Sequence, residues 1–277
     1  MQQYKDLLQD ILDNGVEHSD RTGVGTKRLF VRTARFNLQD GFPIVTLKKT
    51  YFLGALRELL FFLSGGHLIK DMHESIQKWW RPFSDECGYL GKGTYGLSLR
   101  QFPHVDGRYV FDQVNFIIEQ IIANPNSRRV ILTSYNPSGS SYDLDMNEDE
   151  DTNYLVPCHL NMVQFQVQDG RLNLAVTCRS QDTYLGTPVN WAEHALLCHI
   201  IANICDLEVG EYVWVGNDVH LYSNHTEQCH EVLKRSPLPL PQLVIKRKLT
   251  SVDDLREEDF ELVNYQHHPA IKGEMAI

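Results

Sequence analysis

The chain has 277 residues, 42% of them hydrophobic and 22% charged, with a formal net charge of −10. These proportions are those of a globular protein with apolar side chains enough for a sizeable core, and the negative balance argues against a broad basic face for nucleic acid. No run approaches the roughly 18 apolar residues of a membrane-crossing helix. The start, "MQQYKDLLQD", has no basic region followed by an apolar stretch, and the six cysteines show no CxxC pair, so a cytoplasmic protein with free thiols is expected.

In chain order, Leu7, Leu8, Ile11 and Leu12 recur at helical spacing and predict a helix over 4–15, stopped at Gly15. "KRLFVRTARFNL" (27–38) alternates as a strand does. "FLGALRELLFFLSGG" (52–66) reads as an apolar helix ending at a glycine pair, and "VFDQVNFIIEQIIANP" (110–125) as an amphipathic one. "RRVILTSYN" (128–136) predicts a strand. "CHLNMVQFQVQDGRLNLAVTCRSQD" (158–182) predicts a hairpin turning at "QDG". "NWAEHALLCHIIANICD" (190–206) is apolar nearly all round and predicts a buried central helix, followed by a strand over 210–222 and a polar, extended C-terminus. No internal repeat or flexible linker interrupts this order. The expectation is one α+β domain over 1–277, with a large mixed or mostly antiparallel sheet packed by helices.

The charge is uneven. "SYDLDMNEDED" (141–151) holds six acidic residues and no basic one, leaving −10 + 6, about −4, on the rest. Asp143, Asp145 and Asn147 match the first ligands of a calcium loop, but Glu148 stands where glycine is needed and Tyr154 where the bidentate Glu belongs. The run reads as a solvated insertion of about 138–153. His194, His199, His225 and His230 fall in no metal-ligand spacing, so no metal is expected.

Three places carry chemistry. Cys158 lies between Pro157 and His159 in the hairpin's first strand. A buried cysteine is most often a small core residue, but the returning strand brings Arg179 into the same sheet, and a guanidinium near a thiol favours the nucleophilic thiolate. "SRR" (127–129) is either a solvated turn or an anion clamp, and "RTG" (21–23) adds a third arginine; no phosphate-binding GxxxxGK[ST] is present. Glu58, inside an apolar helix, must be paired, with Arg57 or another arginine, or must serve proton transfer.

Read together, "DRTGVGT" (20–26), "RFNLQDGFPIVTLKK" (35–49), "ELLFFLSG" (58–65), "NPNSRR" (124–129), "PCH" (157–159), "RSQDTYLGTPVN" (179–190) and "DVHLYSNH" (218–225) resemble the thymidylate synthase family in order and spacing. The resemblance extends over nearly the whole chain, to the terminal "MAI". It implies C5 one-carbon transfer to dUMP from 5,10-methylenetetrahydrofolate, in which a cysteine adds to C6 of the uracil and makes C5 nucleophilic. By resemblance Cys158 is that nucleophile. Arg21, Arg179 and Ser180 hold the phosphate, with Arg128 and Arg129 reaching across from the second subunit of a homodimer. Asn190 reads the uracil edge, and His220 and Tyr222 hold the sugar 3′-hydroxyl. Glu58 and His159 organise proton transfer, and Tyr95 sits near the C5 proton. Trp80, Asp182 and Gly186 lie on the folate side, and the Ile277 carboxylate helps close the site.

The departures from the family pattern gather on the folate side. "WWRPF" (79–83) puts Arg81 and Phe83 after Trp80, "LGKGTYG" (90–96) carries an extra residue before Tyr95, and Gln181 follows Arg-Ser. Residues 137–156 are lengthened, and an extra residue between Cys158 and Gln164 predicts a β-bulge beside the cysteine. Relatives in phage capture the same intermediate with water and are pyrimidine hydroxymethylases. Reductive methylation to dTMP is the leading expectation, on the retained Trp80 and terminal "AI"; dUMP hydroxymethylation is the alternative, and an inactive nucleotide- or RNA-binding relative the third.

Overall fold

The computed structural model describes residues 1–20, 22–137 and 155–276. Arg21, Ile277 and the acidic stretch 141–151 lie outside the described residues, as do the expectations placed on them.

Helix α1 (Gln2–Asn14) buries Leu7, Leu8 and Ile11 of the predicted stripe and Tyr4 beside them, while Leu12 is only partly buried. It leads into β1 (Val16–His18) and the long β2 (Thr26–Asn37). Helix α2 (Phe52–Leu63) stops short of the expected residue 66, because Gly65 turns the chain at φ 80°. Two short helices, α3 (Glu74–Trp80) and α4 (Tyr95–Arg100), were not foreseen; each is too brief for periodicity to mark it. Strands β3 (Phe102–Pro103) and β4 (Val110–Phe111) pair with each other. Helix α5 (Gln113–Ala123) therefore begins later than residue 110, at a cap in which Asp112 accepts the Asn115 N–H at 3.0 Å.

Of the strand expected over 128–136, only β5 (Ile131–Leu132) forms. Strands β6 (Met162–Gln168) and β7 (Arg171–Asp182) make the expected hairpin. Its two-residue turn, Asp169 at φ 50° and Gly170 at φ 74°, needs the left-handed backbone that an Asp-Gly pair tolerates. Helix α6 (Gly186–Ile204) starts before the expected Asn190 and is buried along most of its length. It is followed by β8 (Glu208–Tyr222), α7 (Thr226–Leu233), β9 (Gln242–Ile245) and β10 (Phe260–Val263). The last two pair antiparallel inside a segment expected to be merely extended.

The main sheet has the order β1-β2-β8-β7-β6-β5, antiparallel throughout except where β7 runs parallel to β8. A parallel pair needs a crossover, and α6 supplies it, which is why that helix is apolar on nearly every side. Helix α2 packs on α6, so the core is an α+β stack of sheet, α6 and α2. Leu172, Leu174, Val176 and Cys178 of β7 alternate inward; the alternation breaks at exposed Arg179 and half-buried Ser180. Those two residues open the site.

Candidate active site

Cys158 is not in a strand, contrary to the sequence expectation. It sits half-buried in an irregular stretch that ends where β6 begins at Met162. The ladder to β7 slips there. Met162 pairs with Thr177, yet Ser180 N–H donates to the Cys158 carbonyl at 3.3 Å, so four steps on one side (158 to 162) face three on the other (177 to 180). Leu160, at φ 52°, takes up the extra residue.

Side chains brace this loop from beneath. Asn161 donates its amide to the Pro157 carbonyl at 2.8 Å and accepts the Arg179 N–H at 2.6 Å. The Arg179 guanidinium donates to the Pro157 and Val156 carbonyls at 2.9 and 2.7 Å. Ser134 donates to the His159 or Leu160 carbonyl, at 3.1 and 2.9 Å.

Tyr95 opens α4, where Gly96 allows a close approach: a Cβ there would lie 2.2 Å from the Gly66 carbonyl oxygen. The phenol stacks on Phe62 at 4.6 Å and 19°. Its oxygen accepts the N–H groups of Cys158 at 2.8 Å and His159 at 3.3 Å, and lies 3.5 Å from the Cys158 sulfur. With both lone pairs engaged by amides, the hydroxyl proton is left to point at sulfur. Burial pushes the Cys158 thiol up; the Tyr95 hydroxyl and then Arg179 pull it back, and Glu58 adds to the rise. The resting sulfur is therefore a thiol at neutral pH, and Tyr95 and Arg179 are the groups that favour its anion. His159 is also held neutral, since burial lowers it to about 3.

Beside the cysteine, Arg179 and Ser180 line a cleft with His220, Tyr222, Arg28 and Asp218. Thus Arg179, Ser180, His220 and Tyr222 are brought together. Arg28 was not foreseen; it stands across from His220 in the β2–β8 register and lies 3.5 Å from Asp218. His220 Nδ1 is 3.3 Å from the other oxygen of Asp218. An adjoining, wider cleft opens at His18, Asp20, Gly23, Gly25 and Ser223, flanking position 21. Arg128 and Arg129 are exposed on the loop before β5, away from the cleft lining of their own chain.

The remaining expected residues lie deeper. Trp80, nearly buried, donates its indole N–H to Glu58 and meets Tyr95 edge-on at 6.0 Å. Among the described residues Glu58 is paired with neither Arg57, which bonds Glu257 at 2.6 and 2.8 Å, nor any other arginine. Burial raises Glu58, opposed by Glu193, which faces it, and by the hydrogen bond from Trp80. Asn190 is buried on α6. Asp182 accepts the Tyr184 and Leu185 N–H groups at 2.8 and 3.2 Å, which shapes the turn into α6 at Gly186. The C-terminal segment is laid against this turn: the Tyr184 hydroxyl donates to the Ile271 carbonyl at 2.9 Å, and His225 Nε2 lies 2.9 Å from the Glu274 carbonyl.

Sequence reasoning missed Glu193, a buried residue of α6, and considered its neighbour His194 only as a metal ligand. Glu193 faces Glu58, with Oε2 at 3.9 Å from His159 Nε2. His194 Nε2 is 3.2 Å from His159 Nδ1, and its Nδ1 is 2.7 Å from the Tyr212 hydroxyl. One signal was available: Asn190, Glu193 and His194 are spaced i, i+3, i+4, so three polar residues share one face of a largely apolar helix. Among the described residues no group of three or more His, Cys, Asp or Glu is placed to hold a metal, and no helix is long and apolar enough to cross a membrane.

A braced cysteine under a phenol, beside an arginine-edged polar cleft and a buried carboxyl, suits nucleophilic addition to an anionic small molecule followed by proton transfer. The model of the family described as thymidylate synthase matches residues 2–277. The chain belongs to the thymidylate synthase family, methyltransferases that carry one carbon to C5 of dUMP with 5,10-methylenetetrahydrofolate as co-substrate.

Proposed function

We propose that this enzyme performs the reductive methylation of dUMP to dTMP through a covalent bond between Cys158 sulfur and C6 of the pyrimidine. The observation that carries the reading is the Tyr95 hydroxyl aimed at the Cys158 sulfur, 3.5 Å away, beside the cleft of Arg179, Ser180, His220 and Tyr222. Arg179 and Ser180, with Arg21 and with Arg128 and Arg129 of a second subunit, take the phosphate; exposure of the last two on a loop supports their serving a partner protomer. His220 and Tyr222 take the 3′-hydroxyl, and Asn190 reads the uracil edge. The bound anion adds negative charge near Arg179, and closure around it leaves Tyr95 to stabilise the thiolate as it adds to C6. Methylenetetrahydrofolate supplies the carbon and the hydride on the side of Trp80, Asp182 and Gly186. The tail held at Tyr184 and His225 supports a site that closes at its C-terminus and keeps water out.

A second reading, dUMP hydroxymethylation, is favoured by the second carboxyl beside Glu58, because capture by water needs an oxygen base nearby. One assay separates them. With dUMP and methylenetetrahydrofolate, mass spectrometry should find dTMP, with dihydrofolate accumulating. A 5-hydroxymethyl product with tetrahydrofolate would replace methylation by the second reading. Nucleotide binding without product, and without a mass adduct on Cys158, would sink both.

A further inference from the structure

We propose that Glu193 is a positioning residue that shares one proton with Glu58 and thereby sets the protonation of Glu58 during one-carbon transfer. The inference rests on the covalent reading above, and concerns a residue that reading does not use.

Glu193 is 1% exposed, and neither of its carboxyl oxygens has a donor partner among the described residues. The groups around it come from four directions. Glu58 on α2 faces it, with Trp80 of α3 already donating to Glu58. His159 stands 3.9 Å away, and Cys158 precedes it in the same loop. His194 follows it on α6, turned to His159, and Tyr95 of α4 lies against the His159 ring at 4.6 Å. Among the described residues no lysine or arginine acts on either carboxyl, and both histidines are kept neutral by burial.

Two buried carboxylates without a cation between them cannot both ionise. Protonating one of them removes the second charge, and a bond from its O–H to the other's O⁻ gives Glu193 a partner for one of its two oxygens. Trp80 already donates to Glu58 and favours its anion, whereas neither Glu193 oxygen has a donor, so Glu193 is the acid and Glu58 the acceptor; burial and the facing Glu58 raise Glu193 in the same direction. The pair then carries one proton and one negative charge. It can accept one further proton at Glu58, becoming neutral, or release the proton it holds. Asn190 lies one turn earlier on the same face of α6, so the residue expected to read the base and the one that loads Glu58 are carried by one rigid element.

The test is Glu193→Gln, whose amide can still donate to Glu58 but holds no ionisable proton. In the wild type, infrared spectra at about pH 8, where free glutamates are ionised, should show a protonated-carboxyl band that shifts on 13C-glutamate labelling. The variant should lose that band. Its kcat should fall about tenfold or more with KM for dUMP within about twofold, and the alkaline limb of its pH profile should move down by about one unit, because Glu58 then ionises without a carboxylate neighbour. Absence of the band from the wild type overturns the proposal whether or not the variant folds. A folded variant with the wild-type pH profile also overturns it. Failure of dUMP to form a Cys158 adduct would instead defeat the covalent reading and leave the band to be read on its own.

Discussion

The Tyr95 hydroxyl oxygen accepts the backbone N–H of Cys158 at 2.8 Å while standing 3.5 Å from the sulfur of that same residue. One phenol thus fixes the cysteine's backbone and presents a donor to its side chain.

Tyr95→Phe removes both functions. It leaves the Cys158 and His159 amides without their acceptor, at a cost of about 1–3 kcal/mol in stability. It also removes a group that favours the thiolate, so the thiol should titrate at higher pH. The adduct with a fluorinated dUMP analogue should form about 10²-fold more slowly, followed by mass spectrometry. An unchanged adduct rate would remove Tyr95 from activation of the sulfur.

His159 gives a pH prediction. Its folded value is lowered to about 3 from an ordinary 6.5. A depressed value means the unfolded chain binds the extra proton first, so the stability it contributes is present above about 6.5 and is lost as pH falls towards 3. Each unit of that window is worth about 1.4 kcal/mol at most. His159→Gln should flatten the loss of unfolding free energy between neutral pH and pH 4, measured by urea denaturation. A wild-type slope in the variant would place the acid sensitivity elsewhere.

Asn161 holds the irregular turn from inside, bonded to the Pro157 carbonyl and the Arg179 N–H. Asn161→Ala should cost about 2–3 kcal/mol from two lost bonds to a buried amide. The variant should also lose activity beyond that loss of fold, since a shift of the sulfur by 1 Å or so can cost about 10²-fold. Full kcat in the folded fraction would show that the brace is not needed for alignment.

Asn190→Asp should move preference from the uracil towards the cytosine nucleotide, because a protonated carboxyl and an amide present different donor and acceptor patterns. Competition between dUMP and dCMP, read as a ratio of kcat/KM, checks it. An unchanged ratio would mean that the base is read by another residue.

The amino-acid sequence by itself determined the family and singled out Cys158 and most of the residues that line the cleft, because these occur in short motifs whose order can be read along the chain. Arg179, Ser180, His220 and Tyr222 were legible in that way, and the structure gathers them around one cleft. So were α1, the β6–β7 hairpin and the burial of α6, where periodicity or turn chemistry is strong. Tertiary structure alone decided the rest. Cys158 left its expected strand because nearby Asn161, together with Ser134 and Tyr95 from far along the chain, supplies the hydrogen bonds that a ladder would have made. Of the two expectations for Glu58, the arginine partner is not what it meets, since the packing of α2 on α6 sets it against Glu193. A lone acid in an apolar helix does not announce its partner. Which buried charges meet is settled by how helices cross, and that contact has no trace in local spacing.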